Sequence, residues 1–171
     1  MGRVIEARDP DLMRNVALKV VARPDSLSEE QLGRFIAEAQ ITSQLEHPNI
    51  VPIHEMGSVE EGLPFFVMKK VVGRSLAELI EGLRRGREEL VVSWSRHRLL
   101  NAFVQVCNAV AYAHDRGVLH RDLKPANIMV GEFGEVLVMD WGVAVLASEV
   151  SSTLRVTASS SGGGEEIPRG A

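Results

Sequence analysis

Apolar positions along the chain change period several times, and each change marks an element. Gly2 to Ala7 and Asn15 to Val21 are short apolar stretches parted by the turn-forming cluster Arg8-Asp9-Pro10-Asp11, which predicts two antiparallel strands. Ser26-Leu27-Ser28-Glu29 has capping-box spacing and predicts a helix running to about Leu45, with Leu32, Phe35, Ile36, Ala39 and Leu45 as its apolar stripe. His47-Pro48-Asn49 stops that helix. Two more strands are predicted around Val51 to Gly57 and Pro64 to Val72, joined by the polar loop Ser58 to Gly62. A second capping box, Ser75-Leu76-Ala77-Glu78, opens a short helix that decays at Arg84-Arg85-Gly86.

A longer helix is predicted from about Ser95 to Arg116, where Leu99, Leu100, Phe103, Val106, Cys107, Val110 and Tyr112 make it broadly apolar. That breadth predicts deep burial, and Gly117 supplies a left-handed stop. Beyond it the pattern shortens to strands at Val118–His120, Ile128–Val130 and Val136–Met139, with Gly131 to Gly134 as a hairpin turn. From Ser148 onward Ser, Thr and Gly dominate, a composition that builds no core and predicts a flexible tail. There is no internal repeat. A strand-rich first part with one helix, followed by a helix-rich part carrying loops, predicts an α+β fold.

Composition narrows the function classes. The 171 residues are 45% hydrophobic and 25% charged, too apolar for a disordered chain. Nineteen basic against 23 acidic residues give a net charge of −4, which argues against a nucleic-acid binder driven by charge. The single cysteine, Cys107, excludes a disulfide framework and a cysteine-built zinc site. No apolar run reaches the roughly 18 residues of a membrane span, and the start Met1-Gly2-Arg3-Val4-Ile5-Glu6 has no apolar signal core. A cytoplasmic location is the expectation.

The chemistry concentrates in His120-Arg121-Asp122-Leu123-Lys124-Pro125-Ala126-Asn127, followed by Asp140-Trp141-Gly142. Upstream lie Val16-Ala17-Leu18-Lys19 on the second strand and Glu38 in the first helix. Taken singly, the lysine reads as the snorkelling end of a buried strand, Glu38 as a solvated helix face and Asp140-Trp141-Gly142 as a turn. Together, in this order and on these elements, they resemble the bacterial (Hanks-type) serine/threonine protein kinases. Lys124-Pro125 favours that class over small-molecule phosphotransferases and over tyrosine specificity.

The resemblance implies a two-lobed kinase fold: residues 1–72 a partial N-lobe, 73–147 the start of the C-lobe, and 148–171 part of the activation segment. It implies ATP and Mg²⁺ as cofactors and a protein substrate with a Ser or Thr acceptor. Asp122 would accept or orient the substrate hydroxyl proton, and Lys124 would offset charge on the moving phosphate. Asn127 and Asp140 would ligate Mg²⁺, which takes few protein oxygens and keeps phosphate and water for the rest. Lys19 would hold the α- and β-phosphates, itself held by Glu38. By the same resemblance Met68 is the gatekeeper, Lys69 to Val71 the hinge, and Val4, Ala17 and Met129 sandwich the adenine; plain core packing is the competing reading for these last three. Arg121 would bind a phosphate on the Ser/Thr cluster Ser148 to Ser161, which reads equally as a polar linker.

Departures from the family pattern are also present. Trp141 stands where phenylalanine is usual, which predicts altered packing with metal binding kept, and Lys69 stands where glutamate is frequent. Only Gly2 and Val4 remain of the glycine-rich loop, and no Ala-Pro-Glu motif follows residue 142. The expectation is a kinase domain truncated at both ends, whose lost packing surface leaves apolar patches and invites self-association. A non-catalytic fragment, acting at most as a nucleotide-binding or interaction module, stays open as the alternative.

Overall fold

The computed structural model describes residues 2–21, 28–59 and 63–146. Strands β1 (Gly2–Asp9) and β2 (Arg14–Val21) pair antiparallel from Gly2 opposite Val21 to Asp9 opposite Arg14. Asp9 shapes the turn between them, accepting from the Leu12 N–H and the Arg14 guanidinium at 3.1 Å each. Helix α1 (Glu29–Gln44) follows, and its cap corrects the sequence expectation. Ser28, not Ser26, is the N-cap, and Gln31, not Glu29, returns the bond to the cap N–H at 3.1 Å. The reciprocal bond requires the acceptor at the third helical position, which Gln31 occupies relative to Ser28. Ser26 and Leu27 lie outside the described residues, as does the segment 148–171 with its candidate phosphorylation sites.

Strands β3 (Ile53–Ser58) and β4 (Pro64–Lys69) complete an antiparallel sheet of order β1-β2-β4-β3. The alternation of β4 shows the pleat: Pro64, Phe66 and Met68 are buried while Phe65 and Val67 are half-buried. Phe35 and Ala39 of α1 pack on Val51, Phe66 and Met68, with the Phe35 and Phe66 rings 5.1 Å apart. This small core carries Ala17, Val71 and Met139 at its margin.

The helical part begins with β5 (Arg74–Ser75), α2 (Leu76–Arg84), α3 (Glu88–Ser93) and α4 (Arg96–Asp115). Strand β6 (Val118–Leu119), a single 3-10 turn at Pro125–Asn127, and strands β7 (Ile128–Val130), β8 (Val136–Val138) and β9 (Val145–Leu146) follow. They form the sheets β5-β7-β8 and β6-β9. The larger core gathers here, with Leu79, Ala109 and Val138 wholly buried. Backbone bonds stitch the two parts together: Val138 donates to the Asn49 carbonyl at 2.8 Å and Val51 donates to the Val138 carbonyl at 3.3 Å. The Asn49 side chain donates to Gln105 Oε1 and to the Val136 carbonyl at 2.9 Å each.

Helix α4 is not buried on all sides as its composition predicts. Ala102, Val106, Ala109 and Ala113 face the core, while Leu100, Phe103 and Val104 are each more than half exposed and Cys107 is exposed. Alanines allow close approach of the helix to its neighbours, and Leu99, Val110 and Tyr112 pack partly buried against the same core. Among the described residues no helix is long and apolar enough to cross a membrane.

Candidate active site

Strand β2 places Lys19, and α1 places Glu38 behind it. The Lys19 ammonium donates to Glu38 Oε1 at 2.5 Å and lies 3.8 Å from Asp140 Oδ1. Both members of the first pair are well shielded, with 14% and 11% of their side chains exposed, whereas half of Asp140 faces solvent. Burial pushes the Glu38 carboxyl above its ordinary range; Lys19 pulls it back down, and the neighbouring Asp140 carboxylate adds to the rise. One cation between two carboxylates has more negative charge around it than it neutralises, yet Asp140 remains open on its outer side.

Gly142 explains how this approach fits. A Cβ at this position would lie 3.0 Å from Glu38 Oε2 and 3.3 Å from Asp140 Oδ1. Any other residue at 142 would therefore crowd the Glu38 and Asp140 carboxylates and shift them by a few tenths of an ångström. Asp140 itself is held in the left-handed region at φ 58°, an uncommon geometry for a non-glycine residue and one that concentrates at working sites.

The loop after β6 gathers the second group. Asp122 Oδ2 accepts from the Lys124 ammonium at 2.6 Å and from Asn127 Nδ2 at 3.1 Å. Asn127 Nδ2 also donates to the Asp122 carbonyl at 2.9 Å, so the amide nitrogen is engaged and the oxygen is the end left to ligate. The hydrogen bond from Lys124, more than any other neighbour, holds the Asp122 carboxyl below the ordinary carboxylate range. Arg121 adopts φ 65° and is exposed.

His120 joins the two groups. It is 4% exposed; its Nδ1 accepts the Asp122 N–H at 3.3 Å, which leaves Nε2 to donate to the Met139 carbonyl at 3.0 Å. Met139 N–H donates in turn to the Asn127 carbonyl at 2.8 Å. The chain carrying Asp122 and the chain carrying Asp140 are thereby fixed to one another through their backbones. Trp141, 1% exposed, packs its ring 4.5 Å from that of His120. Among the described residues its indole N–H has no partner, a cost of about 1–3 kcal/mol for a buried donor, offset by packing in the larger core.

The positions read as adenine contacts are spread over both parts. Val4 is opposite Lys19 on β1 and half exposed; Ala17 is opposite Met68, which is buried. Lys69 is exposed, and its N–H donates to the Pro52 carbonyl at 3.1 Å, which removes that donor from the slot. Val71 packs against the sheet core, and Met129 sits on β7 opposite Leu137. The sequence reading gave no role to His120, Met139 or Gly142. Their signal was position alone: His120 two before Asp122, Met139 one before Asp140, and Gly142 two after it. A cleft of about 990 Å³ lies elsewhere, between α2, α3 and β5-β7, and none of these residues lines it.

Known proteins resemble this chain over most of its length. Serine/threonine-protein kinase PknD of Protochlamydia amoebophila is 42% identical over 149 residues, covering 84% of this chain and 15% of the relative. PknD of Chlamydia pneumoniae is 36% identical over 164 residues, covering 93% of this chain and 17% of the relative. PknD of Chlamydia muridarum is 40% identical over 150 residues, covering 85% and 16%. The chain thus spans 15–17% of the length of these curated relatives. The protein kinase domain family matches residues 1–161, and the chain belongs to that family.

Proposed function

We propose that this chain carries the phosphoryl-transfer site of a protein serine/threonine kinase, moving the γ-phosphate of ATP to a Ser or Thr hydroxyl. The observation that carries the reading is the Lys19 ammonium, 2.5 Å from Glu38 and 3.8 Å from Asp140. It is a positioned cation beside an open carboxylate, across from a loop whose Asp122 is kept ionised. Residues 1–72 form the nucleotide-side lobe in this reading and 73–147 the lobe that carries the catalytic loop. Serine/threonine specificity is supported by Lys124-Pro125 and by the names of the PknD relatives.

Each residue has a task the geometry permits. Lys19 binds the α- and β-phosphates and is aimed by Glu38. Val4, Ala17, Val71 and Met129 supply apolar surface for adenine beside the gatekeeper Met68, and the Lys69 to Val71 backbone, apart from the engaged Lys69 N–H, supplies polar contacts. Asp122 orients the acceptor hydroxyl and receives its proton. Lys124 neutralises charge on the phosphoryl group as it moves, at the cost of loosening its 2.6 Å contact with Asp122. Arg121, exposed on the same loop, suits a phosphate on the segment after residue 147.

The donor set fits Mg²⁺. Asp140 offers a half-exposed carboxylate and Asn127 an amide oxygen, a hard and sparse pair suited to an ion that keeps water and phosphate ligands. Bound there, Mg²⁺ would supply positive charge that offsets the negative charge of the nucleotide phosphates. Use of ATP argues for the cytoplasmic side of a cell. A non-catalytic module has no observation in its favour over this reading.

Calorimetric titration of ATP in the presence of Mg²⁺ tests it. Wild type is expected to bind in a Mg²⁺-dependent manner, with Lys19→Met at least ~10-fold weaker, the loss of one charge-assisted contact. Equal binding by the variant, or no binding by wild type, contradicts the reading.

A further inference from the structure

An ion pair outside the catalytic groups stands on the sheet face that Lys19 occupies. Opposed positions run in rows across three strands: Val4, Lys19 and Phe66 in one, Glu6, Ala17 and Met68 in the next. Directly opposed residues share a face, as do residues two apart along a strand. Glu6 therefore stands on the same face as Val4, Ala17 and Lys19. From the segment joining β4 to β5, the Lys70 ammonium reaches Glu6 Oε1 at 2.6 Å. Ala17 separates Glu6 from Met68 in that row, and Lys70 lies two residues beyond Met68 along the chain.

The connection is unusual in what it bridges. Among the described residues strand β1 is the edge of its sheet and hydrogen-bonds only to β2. Among the described residues the Glu6–Lys70 pair is the one ion pair that ties β1 to the chain beyond its own hairpin; Asp9–Arg14 lies within the hairpin. Lys70 also follows Lys69, whose backbone is anchored to Pro52, so the fixed end of the tie is the linking segment and the free end is the edge strand. With 32% and 55% of their side chains exposed, the partners sit at the solvent edge and can separate without burying an unpaired charge.

We propose that Glu6 and Lys70 form a latch at the mouth of the nucleotide slot, holding β1 down over adenine and slowing nucleotide release. The latch rests on the kinase reading above. Both are positioning residues: neither side chain is assigned a contact with the reacting atoms.

Stopped-flow release of a fluorescent N-methylanthraniloyl-ATP from the Mg²⁺ complex tests the latch on wild type, E6Q, K70M and the charge-reversed E6K/K70E pair. Each single variant is expected to release nucleotide about two- to five-fold faster, the range an exposed ion pair supports. The difference from wild type is expected to vanish near ~1 M salt, where the Debye length falls to about 3 Å. The reversed pair is expected to recover most of the wild-type rate, which a merely structural role for either residue would not give. Singles that release at the wild-type rate, or a reversed pair no slower than the singles, overturn the latch and leave the kinase reading standing. A wild type that binds no nucleotide removes the kinase reading, and the latch with it.

Discussion

Asp122 shows how one side chain is prepared for a task by its neighbours. Lys124, two residues on, lies close enough to donate directly, and Asn127 adds a second donor. Both bonds favour the carboxylate, so the pKa is lowered and Asp122 holds no proton at neutral pH. Replacing Lys124 by Met removes the leading cause. The Asp122 carboxyl is then expected to titrate at higher pH, back toward its ordinary value of 3.8, as followed by carboxyl-carbon NMR. An unchanged or lower titration point would show that Lys124 does not set it. This residue-scale chemistry was largely legible in the sequence, because the spacing from His120 to Asn127 forces these side chains together within one loop. What the spacing did not disclose was the clasp. His120 bonds to the backbone at Asp122 and at Met139, and that 19-residue span closes only when β7 and β8 have paired.

At the scale of elements, polar signals locate most ends, the α1 cap being displaced by two residues, whereas burial inferred from composition fails. The hairpin of β1 and β2, the cap of α2 at Ser75 and the stop of α4 at Gly117, with φ 71°, all follow from local chemistry. Helix α3 was missed because six residues rich in β-branched side chains carry no helical period, and only Leu90 of them is buried. Strands β5 and β9 have two residues each and exist only through their partners. Helix α4 is less buried than its composition suggests, because Leu100, Phe103 and Val104 face outward while Leu99 and Tyr112 pack inward. Val106→Ala, at an inward position 4% exposed, is expected to lower unfolding free energy by about 2 kcal/mol in urea titration. Phe103→Ser, at 63% exposed, is expected to change it by less than about 0.5 kcal/mol. Comparable losses at the two positions would contradict the orientation described for this helix.

For the molecule as a whole, a larger and a smaller core are joined by the Asn49–Val138–Val51 stitches, and the candidate site draws Lys19 and Glu38 from one part and Asp140 from the other. The carboxylates that hydrogen-bond across local turns, Asp9 and Glu78 with Asp122, are all lowered from their ordinary values of 3.8 and 4.5. Below those ordinary values the unfolded chain takes up more protons than the folded one, so stability rises with pH in that window. Their contribution is fully present above the ordinary carboxylate range and is lost as pH falls through the lowered values. Thermal midpoints are therefore expected to fall as pH drops below about 4, with a shallower slope in Asp9→Asn combined with Glu78→Gln; equal slopes would contradict the assignment. The central claim is that Asp122 serves phosphoryl transfer at this site. Its most direct measurement is transfer of γ-³²P from Mg-ATP to a basic protein substrate, followed by phosphoamino-acid analysis, for wild type and Asp122→Asn. Label is expected on serine or threonine, with a rate lowered about 10²- to 10⁴-fold in the variant. Undiminished transfer by Asp122→Asn, or label confined to tyrosine, would contradict it.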